Sequence, residues 1–141
     1  MSETTVDDRY SWAIETARRL RAGEPVDRVE VAEEIEQMGR SDARELDSRI
    51  TQILEHLLKL RLLRGAILNH NRRGWHASIA RQRIEILSLL EESPSLKRRI
   101  TVKLVEKCYR NAAAVVAAEY EVETPDECPF SPLDILSSEP Q

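Results

Sequence analysis

Between residues 46 and 60 the chain carries Leu46, Ile50, Ile53, Leu57 and Leu60, apolar positions separated alternately by four and by three. That spacing puts all five on one stripe of an α-helix, and it is incompatible with a strand, whose side chains alternate between two faces. Leu54, Leu58, Leu62 and Leu63 widen the stripe beyond what one neighbour can cover, so the segment reads as the central helix of a bundle. The rest of the chain agrees. Aromatic residues make up 4% and there are four Gly in 141 residues, too few turn-forming and aromatic residues for a sandwich or barrel. The fold class is all-α: an antiparallel bundle of four to five helices.

Start and stop signals divide the helices. Thr5 with Asp8 forms a capping-box start, Gly23 and Pro25 a stop, and Tyr10, Ala13, Ile14, Ala17 and Leu20 the stripe between them. Pro25 opens a second helix carrying Val29, Ala32, Ile35 and Met38, which Gly39 closes. Ser41 caps the central helix, which runs to about residue 64. The stretch 65–74, with two Gly, two Asn, His70, Arg72 and Arg73, reads as a loop. A fourth helix covers 75–91, with Trp75, Ile79, Ile86 and Leu90 inward. Ser93-Pro94 starts a fifth, with Ile100, Leu104, Cys108, Ala112 and Val115 inward and Val102, Val105, Tyr109 and Val116 beside them. Prolines at 125, 129, 132 and 140 make the tail largely extended, with one short helix at Ser131-Pro132-Leu133-Asp134. The expected organisation is one helical-bundle domain, 1–123, with a Pro-rich acidic tail, 124–141, on or near it.

The net charge of −4 conceals a segregation. Residues 1–48 have 13 acidic and 7 basic side chains, residues 49–111 have 5 and 14, and residues 112–141 have 7 and none. A basic middle thus lies between acidic ends, suited either to an anionic partner or to neutralisation within the fold. No basic-then-apolar leader opens the chain, and the longest apolar run, 112–118, is far too short to span a bilayer. Cys108 and Cys128 have no metal or redox spacing. These features point to a cytoplasmic protein without a membrane segment, metal or cofactor.

In an antiparallel bundle, distance from a turn sets which residues meet. Turns near Arg40 and His70 would bring Glu36 to Arg44, Glu30 or Glu33 to Arg49, His56 to Arg83 and Ile84, and Lys59 to Arg81 and Gln82. A half-buried arginine on the margin of the seam requires a carboxylate, and Glu33 is the first candidate. The resulting polar cluster is Glu33, Glu36, Arg49, His56, Lys59, Gln82 and Arg83. Around the 65–74 loop gathers a basic pole of Arg64, Arg72, Arg73, Arg81 and an exposed Trp75, joined by Lys107 and Arg110; the acidic run 119–127 leaves at the same end, where it can shield the pole or give way to a partner. No catalytic residue is assigned: nucleophile-elbow, phosphate-loop and dinucleotide fingerprints and a Glu-x-x-His pair are all missing.

One resemblance runs through nearly the whole chain, about residues 8–136. It rests on Trp12 with Leu20-Arg21, on Glu33-Glu34-Ile35-Glu36 leading to Gly39-Arg40-Ser41, and on Arg44, Leu46 and Ser48-Arg49. It continues through His56-Leu57-Leu58-Lys59, Trp75-x-x-x-Ile79-x-x-Gln82-Arg83, Ser93-Pro94-Ser95-Leu96, Tyr109 and Cys128-Pro129. In their order and spacing these residues resemble a bacterial family classed as a domain of unknown function, number 29. The resemblance implies an all-helical bundle and carries no activity with it. This chain departs from the family pattern after Lys59, where Leu60 and Arg-Leu-Leu-Arg stand in place of a Trp and then Gln-Pro, so the 61–74 connection is expected to differ in shape. The functional expectation is a non-enzymatic binding module with an unidentified protein partner. The alternative is a nucleic-acid binder, or a metal-dependent nucleic-acid hydrolase using Glu33 or Glu36 with His56.

Overall fold

The computed structural model describes residues 8–137, and among them there are helices and no strand. Four are long: α1 (Arg9–Ala22), α2 (Arg28–Leu62), α3 (Gly65–Glu92) and α4 (Val102–Tyr120). A 3-10 helix (Pro94–Arg99) precedes α4, and a short α5 (Pro132–Leu136) ends the described chain. No described helix is long and apolar enough to cross a membrane. The chain divides into two compact units, Met1–Arg40 and Ser41–Gln141.

In the first unit, α1 and the start of α2 form a helical hairpin. Asp8 is the N-cap of α1, accepting from the Ser11 amide at 3.1 Å, and Gly23 ends the helix in the left-handed conformation (φ 75°). Asp8 therefore caps the helix instead of occupying its third position; Thr5, the expected cap, lies outside the described residues. Asp27 caps the next helix through the Glu30 amide, and Arg9 pairs with Glu34 at 3.0 Å. None of the described residues of this unit is buried. The expected stripes are not core: Tyr10, Ala13, Ile14 and Leu20 on α1, and Val29, Ala32, Ile35 and Met38 on α2, are exposed. Trp12, Thr16, Ala17, Val26 and Val31 are half-covered instead.

The break expected at Gly39-Arg40-Ser41 does not exist, because α2 runs through it. A glycine stops a helix by adopting a left-handed conformation, and Gly39 does not adopt one. With no proline nearby it is only a weak helical position, about 1 kcal/mol poorer than alanine. The opposite correction applies to 65–74, which is the start of α3 and not a loop. The reversal is confined to Leu63 and Arg64, with Gly65 at φ 67°. Arg64 closes it by donating to the carbonyls of Arg61 (2.7 Å) and Leu63 (3.0 Å), acceptors left over at the end of α2.

The second unit is a three-helix bundle. Arg49 meets Gln82 and Lys59 meets Trp75, so α2 and α3 are antiparallel. Asp47 meets Arg99 and Cys108 while Lys59 meets Glu119, so α2 and α4 are parallel. The seam of α2 is the centre of the core, as its spacing requires: Leu46, Ile50, Ile53, Leu54, Leu57 and Leu58 are buried against Ile79, Ile86 and Leu89 of α3. From α4 come Leu104, Val105, Cys108, Tyr109, Ala112, Ala113 and Val116; Val102 and Val115 are exposed, so the buried face is turned from the expected one. Ser93-Pro94 begins the 3-10 helix and not α4, the Ser93 side chain making no capping hydrogen bond, and the α-helical path restarts at Thr101, whose hydroxyl accepts from the Leu104 amide.

The tail follows its pattern. Ser131, Pro132 and Asp134 form the capping box of α5, and Phe130 and Ile135 complete the core. Tyr109 ties the connecting strap to α4 by donating to the Pro125 carbonyl at 2.6 Å.

Candidate functional site

The expected polar cluster resolves into separate groups. Glu33 and Glu36 belong to the first unit and Arg49, His56, Lys59, Gln82 and Arg83 to the second, and the turn at Arg40 that was to fold one set onto the other is helix. Arg49 does require carboxylates, but they are local. Its guanidinium bonds Glu45 one turn earlier at 2.9 Å and lies 3.8 Å from Glu85 of α3. It also donates to Gln82 Oε1 at 2.9 Å, and Gln82 in turn donates to Gln52 at 2.7 Å, a polar ladder across the α2–α3 contact.

The tight turn at 63–64 moves the α2–α3 register by about two turns relative to a turn at His70, so His56 does not face Arg83. Arg83 instead donates to the carbonyls of Asp134 (2.7 Å) and Ile135 (3.0 Å), fastening the exposed carbonyl end of α5 to α3. Burial pushes its guanidinium below the usual arginine range, with Asp134 acting against that.

Lys59 occupies the most enclosed charged position in the described chain, 7% exposed. Its ammonium lies 5.7 Å from the ring centres of both Trp75 and Tyr120, which meet edge to face at 6.4 Å, and 3.3 Å from Glu119. Each contact follows from helical spacing: Glu119 and Tyr120 are adjacent at the end of α4, and Trp75 sits three turns into α3. Glu55 and His56 flank this ammonium. Burial pushes the His56 imidazole below its ordinary value, with Lys59 adding to the effect and Glu119 opposing it. His56 Nδ1 is buried without a hydrogen-bond partner. Burial pushes the Glu55 carboxyl up, while Lys59 pulls it down. The cluster is closed, and its chemistry is that of a desolvated cation held by rings and one carboxylate.

The basic pole is also redistributed. Arg64 is folded onto backbone carbonyls, Arg72, Arg73 and Arg81 are exposed along α3, and Trp75 is buried, so it offers no face to a ligand. Lys107 and Arg110 do not join this end, because they lie about three turns or more before the end of α4 that reaches it. The acidic run does leave α4 here, and Glu119 is its one member in an ion pair among the described residues.

Sequence reasoning did not single out the groove at the other end of α4. Arg98 and Arg99 come from the 3-10 helix, Thr101 caps α4, and Lys103, Lys107 and Arg110 follow on one helical face at i, i+4 and i+7. The groove measures about 480 Å³, and no carboxylate lines it. Arg99 is held by a two-point contact to Asp47 at 2.7 and 2.9 Å, and these hydrogen bonds raise its guanidinium pKa above the ordinary value. Arg98, Lys103, Lys107 and Arg110 make no ion pair with a described residue. On its other side Arg110 borders a separate hollow containing Glu106, Asp126 and Glu127. The Lys-Arg-Arg run at 97–99 followed by cations at 103, 107 and 110 was the available signal.

Among the described residues no three of His, Cys, Asp or Glu assemble as metal ligands. No curated protein and no solved structure matches the chain. The segments that carry the resemblance above fall in order along this helical architecture, and the model of a domain of unknown function, DUF29, matches residues 6–139, so the chain belongs to that family.

Proposed function

We propose that the protein is a binding module whose partner is a nucleic acid, held by its phosphate backbone in the groove between the 3-10 helix and α4. The observation that carries this reading is the set of four cations, Arg98, Lys103, Lys107 and Arg110, around one groove with no carboxylate in its lining. From Lys103 to Arg110 the helix rises about 10 Å, the length of three phosphate steps along one strand. A protein–protein interface needs an apolar centre, whereas the one apolar lining residue here, Leu104, is already buried in the core. Phosphate binding needs only the charges, and this shifts the weight from a protein partner to a nucleic acid.

The test is fluorescence anisotropy of labelled duplex DNA and RNA between 50 and 200 mM salt. Four phosphate contacts give a log–log salt slope of about −3.6, a loss of about a hundredfold in affinity over that range. Lys103→Glu with Lys107→Glu removes the binding. If neither duplex binds at 50 mM salt, or if the double variant binds as wild type does, the proposal fails. If poly-glutamate binds and nucleic acid does not, the partner is an acidic protein.

A further inference from the structure

A second concavity lies at the opposite end of the bundle and shares no residue with the basic groove. Leu57, Leu60 and Arg61, at i, i+3 and i+4, face it from α2, and Leu68, Arg72 and His76, at i, i+4 and i+8, face it from α3. The two sets meet because the reversal at 63–64 is so short. Phe130 from the tail supplies the remaining wall. The hollow holds about 450 Å³, within the range of small-molecule sites.

Its lining is divided by chemistry. Leu57 and Phe130 are buried beneath it and Leu60 and Leu68 are half-buried, so the floor and walls are apolar. Arg61, Arg72 and His76 are exposed at the rim, and none forms an ion pair with a described residue. Arg61 is oriented by the Phe130 ring, 5.6 Å from its guanidinium carbon, which places the group without consuming its donors. An inorganic anion would leave the apolar floor unused, and a neutral hydrocarbon would leave three donors unanswered. Phe130 is already covered by Arg61 and presents no free face for a nucleobase, so a flexible aliphatic body suits the floor better than an aromatic one.

We propose that this pocket binds a small amphipathic anion, an aliphatic chain ending in one carboxylate or phosphate, with the head at Arg61, Arg72 and His76 and the chain over Leu57, Leu60 and Leu68. The proposal is independent of the nucleic-acid reading.

Isothermal titration of the full chain with octanoate, octyl phosphate, octanol and inorganic phosphate tests it. Octanoate or octyl phosphate binds at least tenfold tighter than octanol or inorganic phosphate, and whichever of the two binds identifies the head group. Losing one charge-assisted contact costs about a factor of ten, so Arg72→Gln, at an exposed position, weakens binding by about that much. Leu68→Trp fills the hollow and abolishes binding; a melting curve confirms that this variant folds, and Arg72→Gln is decisive if it does not. Lys103→Glu with Lys107→Glu leaves the affinity unchanged. The proposal is overturned if neither anion binds at millimolar concentration, if octanol binds as tightly as octanoate, or if Arg72→Gln has no effect.

Discussion

Lys59 offers a quantitative test of what an enclosed cation contributes to this fold. Truncation to alanine removes three methylenes from a nearly closed site, about 2.4 kcal/mol at 0.8 kcal/mol each. It also removes the contact to Glu119, whose side chain is 48% exposed, so that pair contributes at most about 1 kcal/mol. Two ring contacts add roughly 0.5–1 kcal/mol together. Removing the ammonium also ends the cost of holding it out of water, which offsets these charge contacts and leaves a loss of about 2.4 kcal/mol, that of the stem. Lys59→Met keeps the stem against Trp75 and Tyr120, loses the charge contacts, and is relieved of holding an ammonium out of water. These terms nearly cancel, and the methionine variant is expected within about 1 kcal/mol of wild type. The assay is urea unfolding followed by Trp75 fluorescence in a Trp12→Phe background, so that the signal comes from the second unit alone. If Lys59→Met falls as far as Lys59→Ala, the ammonium and not its stem is what stabilises the site, and the reasoning is wrong.

His56 gives a pH prediction with a definite sign. Its folded pKa lies below the unfolded value of 6.5, so the unfolded chain takes up the proton first and stability falls as pH drops through 6.5. Above that pH the imidazole is neutral in both states and contributes no slope. His56→Gln flattens the dependence of the urea midpoint between pH 7.5 and 5.5, and equal slopes would contradict the burial argument. Arg83→Met strips two carbonyls of α5 of their donor, costs about 2 kcal/mol, and speeds proteolysis between residues 124 and 131. Arg83→Lys does not restore protection, because an ammonium lacks the planar fork that spans two adjacent carbonyls.

What could be read in advance followed periodicity. The alternation of Leu46, Ile50, Ile53 and Leu57 located the centre of the core, and the Ser-Pro-x-Asp pattern at 131–134 located α5, because both depend on neighbours within one or two turns. The errors came where composition was weighed above spacing. Gly39 and the Asn- and Gly-rich 65–74 stretch read as breaks, yet Leu68, Trp75, Ile79 and Ile86 continue a helical interval across the second of them. Moving that turn from His70 to Arg64 shifted every α2–α3 pairing, which is why Arg49 meets Gln82, and the unbroken helix through Gly39 and Arg40 removed the turn that was to bring Glu33 back to Arg49. Lys59, Gln82 and Arg83, expected together in one polar cluster, each make their contacts in a different part of the bundle. Lys107 and Arg110 lie far from the turn because they stand about three turns or more before the end of α4 that reaches it.

The Lys59 enclosure also has a history in time. Its contact with Trp75 closes a loop of 16 residues, whereas its contacts with Glu119 and Tyr120 close loops of about 60. The entropy of closure makes the longer loop costlier by about 1.2 kcal/mol. The α2–α3 hairpin is therefore the cheaper first encounter. The ammonium is received by one ring while still open to water, and it loses its hydration only when α4 arrives with the second ring and the carboxylate. Assembly in that order never leaves the charge both dry and unpaired.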